Sequence, residues 1–116
     1  MNSKKNKIII TKMIKYAQDS IKYLNSICYE DLIEDERTLV FSVFSLSQLG
    51  ELVTKIDKSL RDKYINIPWN DIKSIRNRVV HDYEGVQYRI VWNILTKQIH
   101  PLIKDLDAIL DDLKES

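Results

Sequence analysis

Apolar residues recur at steps of three and four along almost the whole of the 116-residue chain, and little in the sequence interrupts them. Ile10, Met13 or Ile14, Ala17, Ile21, Leu24 and Cys28 follow this spacing, which predicts a first helix from about Lys7 to Ile27 with its stripe facing a core. With only two glycines and two prolines to break the pattern, long helices are favoured over turn-rich sheets and the fold class is all-α. The length suits one domain over residues 1–116, whose thin core would gain from association.

An acidic connection from Glu30 to Glu36 offers Asp31 and Asp35 as N-caps for a second helix over Thr38–Leu60. Its apolar residues occupy more than one face, as expected of a helix at the centre or at a subunit interface. Gly50 in mid-helix costs roughly 1 kcal/mol against alanine, which suggests that another backbone or a ligand approaches there, the alternative being a glycine that is merely tolerated. Ile67-Pro68-Trp69 breaks the pattern. Asn70 or Asp71 then caps a third helix with Ile72, Ile75 and Val79 inward. Gly85 marks a turn, and Val86–Ile99 reads as a fourth helix with Ile90, Trp92 or Val91, Ile94 and Leu95 buried. Pro101 should end or kink it before a last helix carrying Leu102 or Ile103, Leu106, Ile109 or Leu110, and Leu113. This gives a bundle of four to five helices.

The net charge of +1 hides a basic start, Lys4 to Lys15, and an acidic tail, Asp105 to Glu115; neither end by itself implies a nucleic-acid partner. A single cysteine, Cys28, allows no internal disulfide and points to a reducing, cytoplasmic setting, with a buried inert thiol as the expectation. Lys12 and Lys15 cut short the Ile8-Ile9-Ile10 run before it could serve as a signal sequence, and no stretch is long enough to span a membrane.

His81, His100 and Cys28 are not spaced as metal ligands, and the paired acids of the tail read as a solvated face, so neither a metal nor a cofactor is expected. There is no glycine-rich phosphate loop and no serine nucleophile motif. His100, next to Pro101, reads as a capping or surface residue. Chemistry concentrates in Arg76-Asn77-Arg78-Val79-Val80-His81-Asp82-Tyr83. Arg76, one residue from Ile75 and three from Val79, borders the buried stripe, where a guanidinium needs a counter-charge; Glu51, beside Gly50, or a ligand phosphate could supply it. His81, close to a helix C-terminus, would titrate in the range useful for proton transfer. Metal-free RNA cleavage needs a base for the 2′-hydroxyl, an acid for the leaving 5′-oxygen and a cation for the phosphorane-like transition state. One chain offers one such histidine; two copies about a two-fold axis offer two. The bland alternative makes Arg76 a salt bridge to Glu51, His81 a bond to the last carbonyls and Tyr83 a packed aromatic.

Arg76, four residues, His81, one residue and Tyr83 together resemble the signature of the HepT-like branch of the HEPN domains. The similarity continues through Gly50-Glu51, Pro68-Trp69, Gly85-Val86, Trp92 and Pro101-Leu102, with Glu84 standing where an aromatic is common. The resemblance implies a homodimeric HEPN bundle whose two Arg76 and His81 pairs form a metal-independent endoribonuclease cleft, with Asn77 orienting the arginine or the phosphate. It also implies a toxin of a two-gene toxin–antitoxin pair, neutralised when a minimal nucleotidyltransferase antitoxin transfers AMP from ATP to Tyr83. The other reading is a non-catalytic dimer that binds nucleotide or RNA and is partner and substrate of that transferase.

Overall fold

A computed structural model of the protein describes residues 3–79 and 87–115. Helix α1 (Ser3–Ser20) lies along α3 (Glu36–Val53) and α8 (Ile99–Glu115), and this trio holds most of the core. Short helices link them: α2 (Tyr29–Glu34), α4 (Lys58–Lys63), α5 (Trp69–Lys73), α6 (Ile75–Val79) and α7 (Tyr88–Asn93). Ile10, Met13, Leu46, Leu49, Leu106 and Ile109 are all but inaccessible to solvent. The described residues contain helices and no strand, as the apolar spacing predicts. No helix among them is long and apolar enough to cross a membrane.

The first helix starts earlier and ends sooner than the periodicity suggests. It stops at Ser20, whose hydroxyl donates to the Ala17 carbonyl at 2.7 Å. Consecutive turns follow, with Ser26 at φ 65°, in the left-handed region that short polar residues tolerate better than bulky ones. Those turns advance about three residues at a time, so Ile21, Leu24 and Ile27 still pack against the core without a helix to carry them. Cys28 lies beyond the helix and is exposed, not buried.

The acidic connection is itself helical. Leu32 of α2 is fully buried, and the Asp31 carboxylate accepts from the Cys28 amide at 3.1 Å. Asp31 therefore sits inside α2, and Asp35 alone caps α3, accepting from the Thr38 amide at 3.1 Å and its hydroxyl at 2.7 Å. Helix α3 ends at Val53, short of Leu60, where the Thr54 hydroxyl turns back onto the Glu51 carbonyl at 2.7 Å and tighter turns lead to α4. Asp57, ahead of α4, accepts from the Asn6 side-chain Nδ2 at 3.3 Å and pairs with Lys5 at 3.4 Å, tying this corner to the start of α1.

Pro68 occupies the cap position of α5, so Asn70 and Asp71 lie within its first turn and are not its caps. The third helix is divided at Ser74, whose hydroxyl bonds the Asp71 carbonyl at 2.9 Å. Its inward set is as expected, with Ile72, Ile75 and Val79 buried. The expected turn at Gly85 and the start of the next helix at Val86 lie outside the described residues. Within that helix Val91, Ile94 and Leu95 are buried while Ile90 and Trp92 are half-buried. Pro101 does not end it: a π-helical turn over Ile94–Gln98 precedes α8, in which the Ile99 amide reaches back five residues to the Ile94 carbonyl. Widening the ladder just before a proline that can neither donate nor fit a regular turn lets the helix continue through it.

Candidate functional site

The site begins with a glycine. A Cβ on Gly50 would lie 2.9 Å from the Ile72 carbonyl oxygen and 3.4 Å from that of Lys73, so α3 and α5 meet backbone to backbone. The sequence expectation of a close approach at Gly50 is met, and the approaching group is the main chain of α5. This contact puts Glu51, one residue on, within reach of α6. Arg76 Nη1 donates to Glu51 Oε1 at 3.1 Å, joining side chains 25 residues apart. Both remain open to solvent, with side-chain exposures of 63% for Arg76 and 50% for Glu51. Of the two counter-charges that the sequence leaves open for Arg76, the structure holds Glu51. A pair this exposed can exchange its carboxylate for an incoming phosphate at little cost, since surface ion pairs contribute about 0–1 kcal/mol.

Asn77, next on α6, is exposed. Arg78, two residues beyond Arg76, turns the other way and is half-buried. It lines a surface cleft of about 470 Å³ with Asp71, Lys97, Pro101 and Asp105. That cleft holds two cations and two carboxylates, so its charges offset one another and it makes a poorer phosphate cradle than Arg76. His81 and Tyr83, expected to act in catalysis and modification, lie outside the described residues. His100 is exposed near the start of α8. Among the described residues no group of three or more histidines, cysteines or acids is placed to hold a metal ion.

Sequence reasoning passed over Arg89, whose guanidinium stacks 3.8 Å from the centroid of the Tyr29 ring, against which Trp92 packs edge-on at 6.0 Å. Nothing in the spacing signals it, because Tyr29 comes from α2 and the other two from α7. The tyrosine of α4–α5 also acquires a long-range partner: the Tyr64 hydroxyl donates to Asp112 Oδ2 at 2.7 Å. Burial first, and then this bond to the Asp112 carboxylate and its charge, push Tyr64 up to about 12.

A family model described as "Ribonuclease HepT-like" matches residues 13–109, which includes Gly50, Glu51 and the whole Arg76–Tyr83 segment. The chain belongs to the HepT-like ribonuclease family. A Methanocaldococcus jannaschii protein provisionally named as an RNase is 30% identical over 109 residues, 94% of each chain. One from Caldanaerobacter subterraneus, also provisionally named as an RNase, is 35% identical over 81% of this chain and 84% of its own. A Thermococcus cleftensis protein named "Probable ribonuclease HepT" is 27% identical over 70% of this chain and 74% of its own. No solved structure matches at a significant level.

Proposed function

We propose that this HepT-like chain is an RNA-cleaving toxin that works as a homodimer without a metal. Arg76 binds the scissile phosphate, Asn77 orients it, Glu51 holds the guanidinium ready, and the two copies of His81 serve as base and acid. One imidazole takes the 2′-hydroxyl proton, the 2′-oxygen attacks phosphorus, and the bond to the 5′-oxygen breaks as the other imidazolium protonates it. The products are a 2′,3′-cyclic phosphate and a 5′-hydroxyl. Arg76 offsets the charge that builds on the phosphoryl oxygens.

The observation that carries this reading is the exposed Arg76–Glu51 pair at the start of the family signature, a guanidinium preset by a carboxylate that a phosphate can displace. An exposed apolar stripe on α3, where Val40 is 59% and Phe44 53% exposed, supports a second copy, and it runs toward Glu51. A minimal nucleotidyltransferase antitoxin would silence the toxin by transferring AMP from ATP to the Tyr83 hydroxyl, with release of pyrophosphate. The added phosphate and nucleotide would then occupy the surface meant for RNA.

His81→Ala should abolish RNA cleavage and growth inhibition while leaving the chain folded; a variant as toxic as the parent rejects the catalytic reading. The net charge of +1 gives no global pull toward RNA and favours the second reading, a non-catalytic dimer that binds nucleotide or RNA as substrate of the transferase. Incubating the purified chain alone with RNA separates the two. A mass gain of one AMP on Tyr83 after co-expression tests the regulatory step.

A further inference from the structure

The exposed face of α3 carries opposite charges at equal distances on either side of Phe44. At 100° per residue, Arg37, Val40, Phe44, Gln48 and Glu51 all fall within about 40° of the Phe44 direction. Arg37 and Glu51 are each seven residues from Phe44, about 10.5 Å along the axis on opposite sides. Val40 and Phe44 stand open between them, Arg37 is exposed, and Gln48 is half-buried. Tyr16 flanks Phe44 edge-on at 6.5 Å, and Tyr23 packs on Phe41 at 5.5 Å, so the stripe is bordered by aromatics.

An antiparallel second α3 about a two-fold axis at Phe44 sets each residue opposite the one equally far on the other side. Phe44 then meets Phe44, Val40 meets Gln48, and Arg37 of each copy meets Glu51 of the other, giving two opposite-charge pairs. An axis two residues earlier would instead face Arg37 with Ser47, leaving both the Arg37 cation and the Glu51 carboxylate unmatched. Charge complementarity selects the Phe44-centred register.

Glu51 is already the partner of Arg76. We infer that a second copy seated antiparallel on α3 brings its Arg37 to Glu51, drawing the carboxylate off Arg76 and freeing that guanidinium for the RNA phosphate. Arg37 is thus a positioning residue supplied in trans, and the site is complete only in the dimer. The inference rests on the ribonuclease dimer proposed above but fixes its face and the state of Arg76.

Two experiments decide it. The first uses Cys28→Ser as background and adds Arg37→Cys with Glu51→Cys. Within one chain these positions are about 21 Å apart along a helix and cannot be bridged, so mild oxidation should link two chains covalently only when both cysteines are present. Light scattering that shows a dimer without this cross-link overturns the inference and leaves the dimer reading standing. A chain monomeric at every concentration overturns both.

The second reads function. Arg37→Gln should slow RNA cleavage by up to about five-fold at concentrations where the dimer persists, with Arg37→Lys recovering most of the rate. Because Arg37 acts by occupying Glu51, Arg37→Gln/Glu51→Gln should cleave as fast as Glu51→Gln alone. A double variant as slow as Arg37→Gln assigns Arg37 a merely structural part and overturns the inference. Thermal melts of each variant exclude unfolding as the cause.

Discussion

Arg76 and Glu51 lie 25 residues apart and come within 3.1 Å because the α3 main chain at Gly50 rests directly on that of α5. Replacing Glu51 by glutamine removes the resident anion from Arg76 without altering the side chain's size. Stability should change by less than about 1 kcal/mol, since the pair is exposed. In an Arg37→Gln background, where Glu51 stays on Arg76, adding Glu51→Gln should raise affinity for a short RNA, read by fluorescence anisotropy, by up to about five-fold, the same free energy expressed as binding. Unchanged or weaker binding would show that Glu51 does not compete with phosphate.

Gly50→Ala tests the close approach. Its Cβ would meet a main-chain oxygen at 2.9 Å, which cannot rotate aside as a side chain would. Overpacking of this kind costs about 1–3 kcal/mol, offset by roughly 1 kcal/mol from the better helix former. Urea denaturation should show a net loss of up to about 2 kcal/mol. Equal or greater stability would mean that the helices part freely at this point.

Tyr64 predicts an alkaline weakness. Its folded pKa of about 12 lies above the roughly 10 of an unfolded tyrosine, so the protonated form is favoured in the fold. The associated stability is complete below about pH 10 and drains away as pH rises toward about 12. Urea midpoints measured across that window should fall in the parent and stay flatter in Tyr64→Phe. Parallel curves would assign the alkaline loss to other groups.

Asp35 should show the opposite sign. Bonds from the Thr38 hydroxyl and amide, with a smaller contribution from Arg37, hold its carboxyl below the usual range. Its stabilising effect is present above the ordinary aspartate pKa and disappears as acid protonates the folded state. Asp35→Ala should lower the melting temperature at neutral pH, with the gap to the parent narrowing in acid. A gap independent of pH would remove charge from the explanation.

Periodicity revealed the buried faces better than the helix ends. Ile72, Ile75 and Val79 are inward as their spacing demands, yet the helix carrying them breaks at Ser74, a residue that is unremarkable in sequence. Ile21, Leu24 and Ile27 kept the helical rhythm through a run of turns, because tight turns and helices both return to one side after about three residues. Pro101 looked like a stop, but a widened turn upstream absorbs it. At the site, Gly50 and Glu51 were legible because a glycine in mid-helix demands a reason. The Arg89–Tyr29 stack was not, since it depends on how α2 and α7 meet.

Cys28, expected to be hidden, stands exposed at the head of α2 as the chain's sole thiol. One spin label or dye per chain therefore attaches at a known place without any engineering. In a symmetric pair the two labels would report a single intermolecular distance, so the unaltered protein carries its own ruler for how its copies are arranged.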